Sequence, residues 1–444
     1  MVGKVQRGLS RAAWAAFRRS KRIRKPYAEI HRFQTLRPER QRDEVFQLLR
    51  ASLHFFSKQP FALPEWAQVA RIDNSDEFWR AWLELPILSK ADLRSKYSPE
   101  VLQSAGLRGR MLSSSGSTGE PTSFIHDPGM RAYISAANYY CQLRRGWKPG
   151  VPIVGIWGSP RDLGQRQRPL AQLASWIRGL HLIGAYDLGP HTLEQLVSLT
   201  ARMPRFAIYG FPSMLEYLSR LLLERGDNRF YGRVQVAWTG GETLTEEQCR
   251  LFKRAFGVAL LNHYGGRELS AIASQWSESS PLEVIRRNVM VEILDENNRP
   301  ARPGTPGRIV CTSLTSRATP FIRYEIGDVG ASPDSDAPFG VAKVANVLGR
   351  TTETIRLATG TTIHGIFWAG MVREFPEVLS YQVRWNPSFV RLLLVAPGIA
   401  RDRREKFEGL IRARANGTPC VFEYVTEIPR TKEGKLLRVV REES

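Results

Sequence analysis

Residues Arg233 to Tyr264 read RVQVAWTGGETLTEEQCRLFKRAFGVALLNHY. An apolar run, RVQVAW, leads through two glycines into TEEQCRLFKRAF and then into a second apolar run, VALLNHY. Thr245 followed by two glutamates is a helix start, so the stretch reads strand, helix, strand. The same alternation runs upstream. VPIVGIW from Val151 is a strand, TLEQLVSLTARM a helix, FAIYGF a strand and SMLEYLSRLLLE a helix. Such alternation predicts an α/β domain built on a mostly parallel sheet.

Outside that stretch the pattern changes. DEVFQLLRASLHFF and NSDEFWRAWLEL carry apolar residues at three- and four-residue spacing, so the first hundred or so residues read mainly helical. VMVEILDENNRPARPGTPGRIVCT, from Val289 to Thr312, reads as a hairpin with a Pro/Gly-rich turn. After Gly349 the strand runs VRLLLVA and CVFEYV flank the helix DRREKFEGLIRARA, enough for a separate α+β domain. A chain of 444 residues is too long for one core and is expected to divide. The expected segments are 1–28, a basic arm; 29–348, a large domain; and 349–444, a small one.

Composition narrows the class. With 42% hydrophobic, 24% charged and 10% aromatic residues, the chain is expected to fold rather than stay disordered. Cys141, Cys249, Cys311 and Cys420 form no C-x-x-C pair, which argues against a zinc cluster and suits a reducing compartment. No apolar run approaches the roughly 18 residues of a membrane span, and no secretory signal is recognisable. A cytoplasmic protein is the expectation.

The net charge is +21. Much of the excess lies in MVGKVQRGLSRAAWAAFRRSKRIRK, where Leu9, Ala12, Trp14, Ala15 and Phe17 interleave with basic residues. That pattern is a short amphipathic helix, suited to weak contact with an anionic membrane surface, or else a solvated basic arm. No zinc finger, RNA-recognition signature or heptad repeat accompanies it, so nucleic acid is not an expected partner.

Six stretches carry the chemistry. Ser113 to Gly119 are seven consecutive small residues, SSSGSTG. They are either a surface turn or a cradle of hydroxyls and N–H groups for phosphate. Gly240, Gly241 and Glu242 follow a strand, where backbone can approach a ligand closely. In NHYGGRELS, Tyr264 can stack on a base, Gly265 and Gly266 permit close approach, and Glu268 can hold a divalent cation, unless it is an exposed helix-starting glutamate. IRYEIGDVG puts Asp328 in a Gly-flanked bend, a carboxylate for ribose hydroxyls or a turn former. GRTTETI supplies Arg350 near the boundary of the last domain. EIPRTKEGKLLRVV offers Lys435, a surface charge or a compact cation for a reacting phosphate.

In this order, SSSGSTGEPT, GGE, YGGRE, RYEIGD, GRTTET and PRTKEGK resemble the core motifs of the adenylate-forming (AMP-binding) superfamily. YGFPSMLEYL before the GGE looks like its phenylacetate–CoA ligase-like branch, with its capsular-polysaccharide-biosynthesis-type relatives. The match runs from about Leu112 to Val440 and leaves out the basic arm. It implies an α/β adenylate-forming fold: a large N-terminal domain with mixed sheets and a small mobile α+β C-terminal domain.

The resemblance also implies roles. Ser114, Ser115, Gly116, Ser117, Thr118 and Gly119 would hold the β- and γ-phosphates of ATP. Gly240, Gly241 and Glu242 would flank the adenine, with Tyr264 stacking on it and His263 and Gly265 beside it. Glu268 would bind Mg²⁺, and Asp328 with Arg350 the ribose. Lys435 would bridge the substrate carboxylate and the α-phosphate. The serine loop lacks a Gly-Lys-Ser/Thr ending, so Walker-type chemistry is disfavoured.

Arg267 stands where the superfamily usually has Ser or Thr, which makes it a second candidate for the reacting phosphate region. ASQW in place of a cysteine cluster after the YGGRE motif predicts no structural zinc. Trp157, Tyr209, Phe211 and Trp238 lie on or beside strands that can line a pocket for an aromatic or apolar acid, or can simply pack the core.

The expected activity is ATP-dependent acid activation followed by transfer to CoA. Transfer to an amine, hydroxyl or carrier-protein thiol is the alternative, and a non-catalytic basic binding protein the alternative from another class. A homodimer is compatible with each.

Overall fold

The computed structural model describes residues 2–114, 122–156, 169–184, 190–333, 339–350, 355–359, 361–363, 368, 375, 377–430 and 436–442. Its elements are numbered along the chain. The helices are α1 (Val2–Arg19), α2 (Lys21–Gln34), α3 (Pro38–Phe56), α4 (Pro64–Ala70), α5 (Ser75–Leu83), α6 (Lys90–Ser95), α7 (Pro99–Ser104), α8 (Pro128–Arg144), α9 (Pro169–Arg178), α10 (Pro190–Thr200), α11 (Pro212–Glu224), α12 (Glu246–Phe256) and α13 (Arg401–Ala415).

The centre is a mixed eight-stranded sheet. Strands β3 (Ile153–Ile156), β4 (Leu180–Ile183), β5 (Phe206–Gly210), β6 (Val234–Thr239) and β7 (Leu260–Gly266) run parallel in the order β4-β3-β5-β6-β7. The antiparallel strands β8 (Ser270–Ser274), β9 (Leu282–Val284) and β13 (Lys343–Val344) extend the sheet beyond β7.

The Arg233–Tyr264 stretch is the expected crossover of β6, α12 and β7. Thr245 and Gln248 form a reciprocal capping box at the start of α12, and Gly257 ends it at φ +74°. Period-two alternation sends side chains to opposite faces. Val154, Ile156, Phe206 and Ile208 pack with Leu215, Leu218, Phe252 and Phe256 of α11 and α12. Ile153, Ala207, Val236, Trp238 and Leu261 face the other way, toward Tyr139 of α8 and Trp14 of α1.

The basic N-terminal stretch is therefore folded onto the domain. Ser10 Oγ and Trp14 Nε1 both donate to the carbonyl of Arg178 at the end of α9, each at 3.0 Å. Trp14 also stacks on Tyr139, with ring centroids 5.3 Å apart.

A second, antiparallel sheet comprises β10 (Val289–Leu294), β11 (Gly307–Ser313), β12 (Tyr324–Ala331) and β14 (Asn346–Arg350). The expected hairpin is β10 paired with β11. Helices α3 to α7 cover this sheet: Leu49, Leu53, Trp66, Trp79 and Trp82 share a core with Val291, Ile293, Ile309 and Tyr324. Beneath them Arg323 and Glu292 form a buried ion pair at 3.1 Å. Arg323 Nη1 also donates to the carbonyls of Leu83 and Leu85, each at 2.7 Å, which ties the start of β12 to the helical layer.

A separate hairpin joins β1 (Arg110–Ser114) to β2 (Thr122–His126), and a short one joins β15 (Ile355–Arg356) to β16 (Thr362–Ile363). The C-terminal sheet runs β19-β18-β17-β20, from β17 (Ser380–Asn386), β18 (Phe389–Val395), β19 (Cys420–Tyr424) and β20 (Val439–Arg441). Phe407 and Ile411 of α13 pack against Val383 and Leu392 of that sheet, the α+β unit expected after Gly349.

Candidate active site

Ligands of open parallel sheets lie beyond the carboxyl ends of the strands, and there the motif residues of β6 and β7 meet. Gly240 follows β6 directly. A Cβ on it would lie 2.6 Å from the carbonyl oxygen of His263, so only glycine lets the two strand ends draw this close. At Gly265 a Cβ would lie 1.9 Å from the Ser270 oxygen, which reserves that position for glycine where β7 turns into β8.

Tyr264, buried at the end of β7, donates its hydroxyl to Asp328 Oδ2 at 2.8 Å. The sequence suggested a bend around Asp328. The structure has a strand, β12, whose register against β11 is interrupted between Glu325 and Val329, around Asp328, and whose Gly327 sits at φ +90°. Asp328 and Arg350 are direct partners in the β12–β14 ladder.

Glu268 occupies the turn between β7 and β8 and is buried, 5% exposed, so the alternative of an exposed helix-starting glutamate does not hold. His126 Nε2 donates to its backbone carbonyl at 2.7 Å. Tyr324 donates to its Oε1 across a long 3.5 Å. Burial and the neighbouring Glu268 push the Tyr324 phenol far above its usual range, so it stays protonated and remains a donor.

Arg267, exposed beside Glu268, donates through Nη1 to the Ser113 carbonyl at 3.2 Å. It thus joins the YGGRE segment to the serine hairpin. Ser114 pairs with Thr122 and closes that hairpin in the described residues. Ser115, Gly116, Ser117, Thr118, Gly119, Trp157 and Lys435 lie outside the described residues, as does the side chain of Arg350. The residue after Lys435 is described: the Leu436 N–H donates to Glu242 Oε1 at 3.4 Å, bringing the C-terminal motif to the GGE motif.

Beside this cluster is a cavity of about 370 Å³, lined by α8, its following residue Arg145, and strands β3 to β7. Tyr209 and Trp238 line it, stacked on each other with centroids 5.4 Å apart. Phe211 does not; it precedes α11 and packs into the core on the opposite face of the sheet. His263, Thr239 and Gly240 form the part of the wall nearest the strand ends.

Arg145 donates through Nη2 to His263 Nδ1 at 2.7 Å and to Ser274 Oγ. A guanidinium only donates, so His263 Nδ1 accepts and its proton sits on Nε2. Burial and the adjacent guanidinium hold the His263 pKa well below the usual histidine range, keeping the ring neutral. Asn138, Gln142 and Arg145 reach the cavity from one side of α8, a polar stripe at four- and three-residue spacing that the sequence contained and its apolar periodicity did not reveal.

Residues 177–315 match the AMP-binding enzyme family. The chain is 20% identical over 371 residues to Protein CapK of Staphylococcus aureus, covering 79% of this chain and 78% of that one. It is 23% identical over 320 residues to a phenylacetate-coenzyme A ligase of Thermus thermophilus, 67% of each chain. Among solved structures it is similar to a 2-hydroxyisobutyryl-CoA ligase in complex with an acyl-AMP, with a TM-score of 0.66 at 17% identity over 92% of this chain and 91% of the other. At that identity the likeness establishes the shared fold.

Proposed function

We propose that this chain, a protein of the AMP-binding, adenylate-forming superfamily, activates a carboxylic acid with ATP and passes the acyl group to CoA. The observation that carries this reading is the meeting of four motifs remote in sequence. Tyr264 bonds Asp328, Glu268 is buried in the adjoining turn, and Glu242 accepts from Leu436.

In the first step a substrate carboxylate oxygen attacks the α-phosphorus of ATP, an oxygen–phosphorus bond forms, and pyrophosphate leaves. Both reactants are anionic, so the barrier is largely electrostatic repulsion. Asp328, oriented by Tyr264, holds the ribose hydroxyls, and the backbone at Gly240 and Gly241 flanks the base. Ser114 to Gly119 receive the departing phosphates, while Lys435 and Arg267 supply positive charge at the reacting centre. Tyr209 and Trp238 wall the acid pocket.

Glu268 suits a Mg²⁺ carried by the nucleotide: its carboxylate is buried, with one long hydrogen bond from Tyr324. Among the described residues no group of three or more His, Cys, Asp or Glu forms a metal cage, and phosphate-bound Mg²⁺ needs only one or two carboxylates. Glu268 would hold that ion, whose charge offsets the repulsion between carboxylate and triphosphate.

In the second step a CoA thiolate attacks the acyl carbon and AMP leaves. This reading divides the chain at 348/349, with residues 349–444 rotating about Gly349–Arg350 between steps. Pyrophosphate exchange over a panel of carboxylic acids, repeated with CoA, tests it. Acid-dependent exchange and acyl-CoA formation are expected. Exchange without thioester would reassign the acceptor to an amine, hydroxyl or carrier thiol. Absence of acid-dependent exchange would end the reading.

A further inference from the structure

The cavity wall contains a cation, Arg145, that no carboxylate among the described residues neutralises. Arg145 is 8% exposed, and its protein hydrogen bonds, to His263 Nδ1 and Ser274 Oγ, both use Nη2. Its Nε is buried without a partner, and none of its described contacts is to a carboxylate. Buried arginines are normally paired, because an ion removed from water loses a hydration that only a partner restores. Trp238, with its ring centroid 5.6 Å from the guanidinium, offsets part of this. Such a contact recovers only part of the cost of removing the charge from water.

The strain of burial is visible in the Arg145 pKa, drawn down to about 10 by desolvation, which still leaves it cationic at neutral pH. Next to it on α8, Gln142 has a buried Oε1 with no hydrogen-bond partner. A rotated amide would present its two N–H donors instead. Arg145 and Gln142 both line the cavity. A neutral His263 beside them adds no competing charge and no negative partner.

We infer that the cavity takes an acid carrying a second anionic group, a dicarboxylic acid, whose non-reacting carboxylate pairs with Arg145 and Gln142. This rests on the acid-activating reading and narrows its substrate class from apolar acids to diacids. The aromatic walls, Tyr209 and Trp238, then flank the carbon skeleton between the two carboxylates. At about 370 Å³ the space is near the lower end for small-molecule sites and suits a compact diacid.

The test compares matched pairs of acids: succinate with butyrate, glutarate with valerate, and isophthalate with benzoate. Each is assayed by pyrophosphate exchange, and each is added without ATP in a thermal-shift measurement. The wild type is expected to favour one diacid over its monoacid by at least about 100-fold in kcat/KM, the selectivity of a site built around a polar partner. That diacid should also raise its melting temperature. Arg145→Met should lose both effects and turn the preference toward the monoacid, while Arg145→Lys retains part of the diacid preference.

Equal loss of both members of a pair in Arg145→Met would mean that Arg145 holds the reacting carboxylate, and would overturn the inference. A wild type indifferent to the second carboxylate would overturn it as well. If Arg145→Met fails to fold, the wild-type pair preference and Arg145→Lys decide. A diacid that stabilises the wild type and not Arg145→Met, with no exchange for any acid, would uphold the site and reject the adenylation reading.

Discussion

The hydroxyl of Tyr264 donates to Oδ2 of Asp328 at 2.8 Å, linking the end of a parallel strand to a bulged strand of the second sheet. The bond fixes a carboxylate rotamer suited to facing a ribose. Tyr264→Phe removes this orientation and leaves the carboxylate in place. A hydrogen bond to a charged group is worth about 1.5–3 kcal/mol, so KM for ATP should rise roughly tenfold or more with kcat largely kept. Asp328→Asn should also erase discrimination between ATP and 2′-deoxy-ATP. Initial-rate kinetics with both nucleotides check this, and unchanged discrimination in Asp328→Asn would remove Asp328 from the ribose site.

Glu268 is buried in the β7–β8 turn, its carbonyl held by His126 and its carboxylate by one long contact. Glu268→Gln preserves shape and removes charge. If the carboxylate holds nucleotide-bound Mg²⁺, exchange should fall about 10²–10³-fold, and the Mg²⁺ concentration for half-maximal rate should increase. Titrating Mg²⁺ at saturating ATP measures both. A lowered rate with an unshifted Mg²⁺ dependence would assign Glu268 a purely structural part.

The sequence disclosed the strand–helix alternation because each strand is a short apolar run and α12 carries its own capping box. It disclosed the motif residues because glycines and acids at fixed spacing survive without tertiary knowledge. It did not disclose that Glu268 is buried, since a polar turn residue becomes interior only when α8 and β12 close over the hairpin. Phe211 stands two residues after Tyr209, and a continued strand would keep both on one face; β5 instead ends at Gly210 and Phe211 caps α11, which turns its ring into the core on the other face. In the sequence nothing sets Arg145 apart from Arg144 beside it, since basic residues commonly end helices. Only the packing of α8 on the sheet makes it a buried charge.

Acid should destabilise the protein through its buried histidines. Desolvation holds the His126 pKa below its usual value of about 6.5, and that of His263 well below. In the unfolded chain both titrate near pH 6.5, so below that pH the unfolded state binds more protons. Their contribution is intact above pH 6.5 and is lost as pH falls, by at most about 1.4 kcal/mol per pH unit for each histidine. Denaturant midpoints between pH 8 and 5 should therefore decline below about 6.5. His126→Gln keeps a donor for the Glu268 carbonyl and should flatten that decline; an identical slope would exclude His126 as a contributor.

The contact between Leu436 N–H and Glu242 Oε1 gives a way to separate the two half-reactions. It brings the C-terminal motif to the GGE motif, the arrangement that adenylation requires if Lys435 acts on the α-phosphate. Lys435→Ala should then lower pyrophosphate exchange by about 10²–10³-fold, the loss expected for one preorganised cation. On the proposed rotation of residues 349–444, thioester formation from a supplied acyl-adenylate would use the other arrangement and would not need that lysine. It should proceed at a rate close to that of the wild type. Measuring both steps on one preparation makes the outcome specific, because a misfolded variant would lose them together. Retained exchange in Lys435→Ala would instead leave Arg267, bound to the Ser113 carbonyl, as the cation at the reacting phosphate.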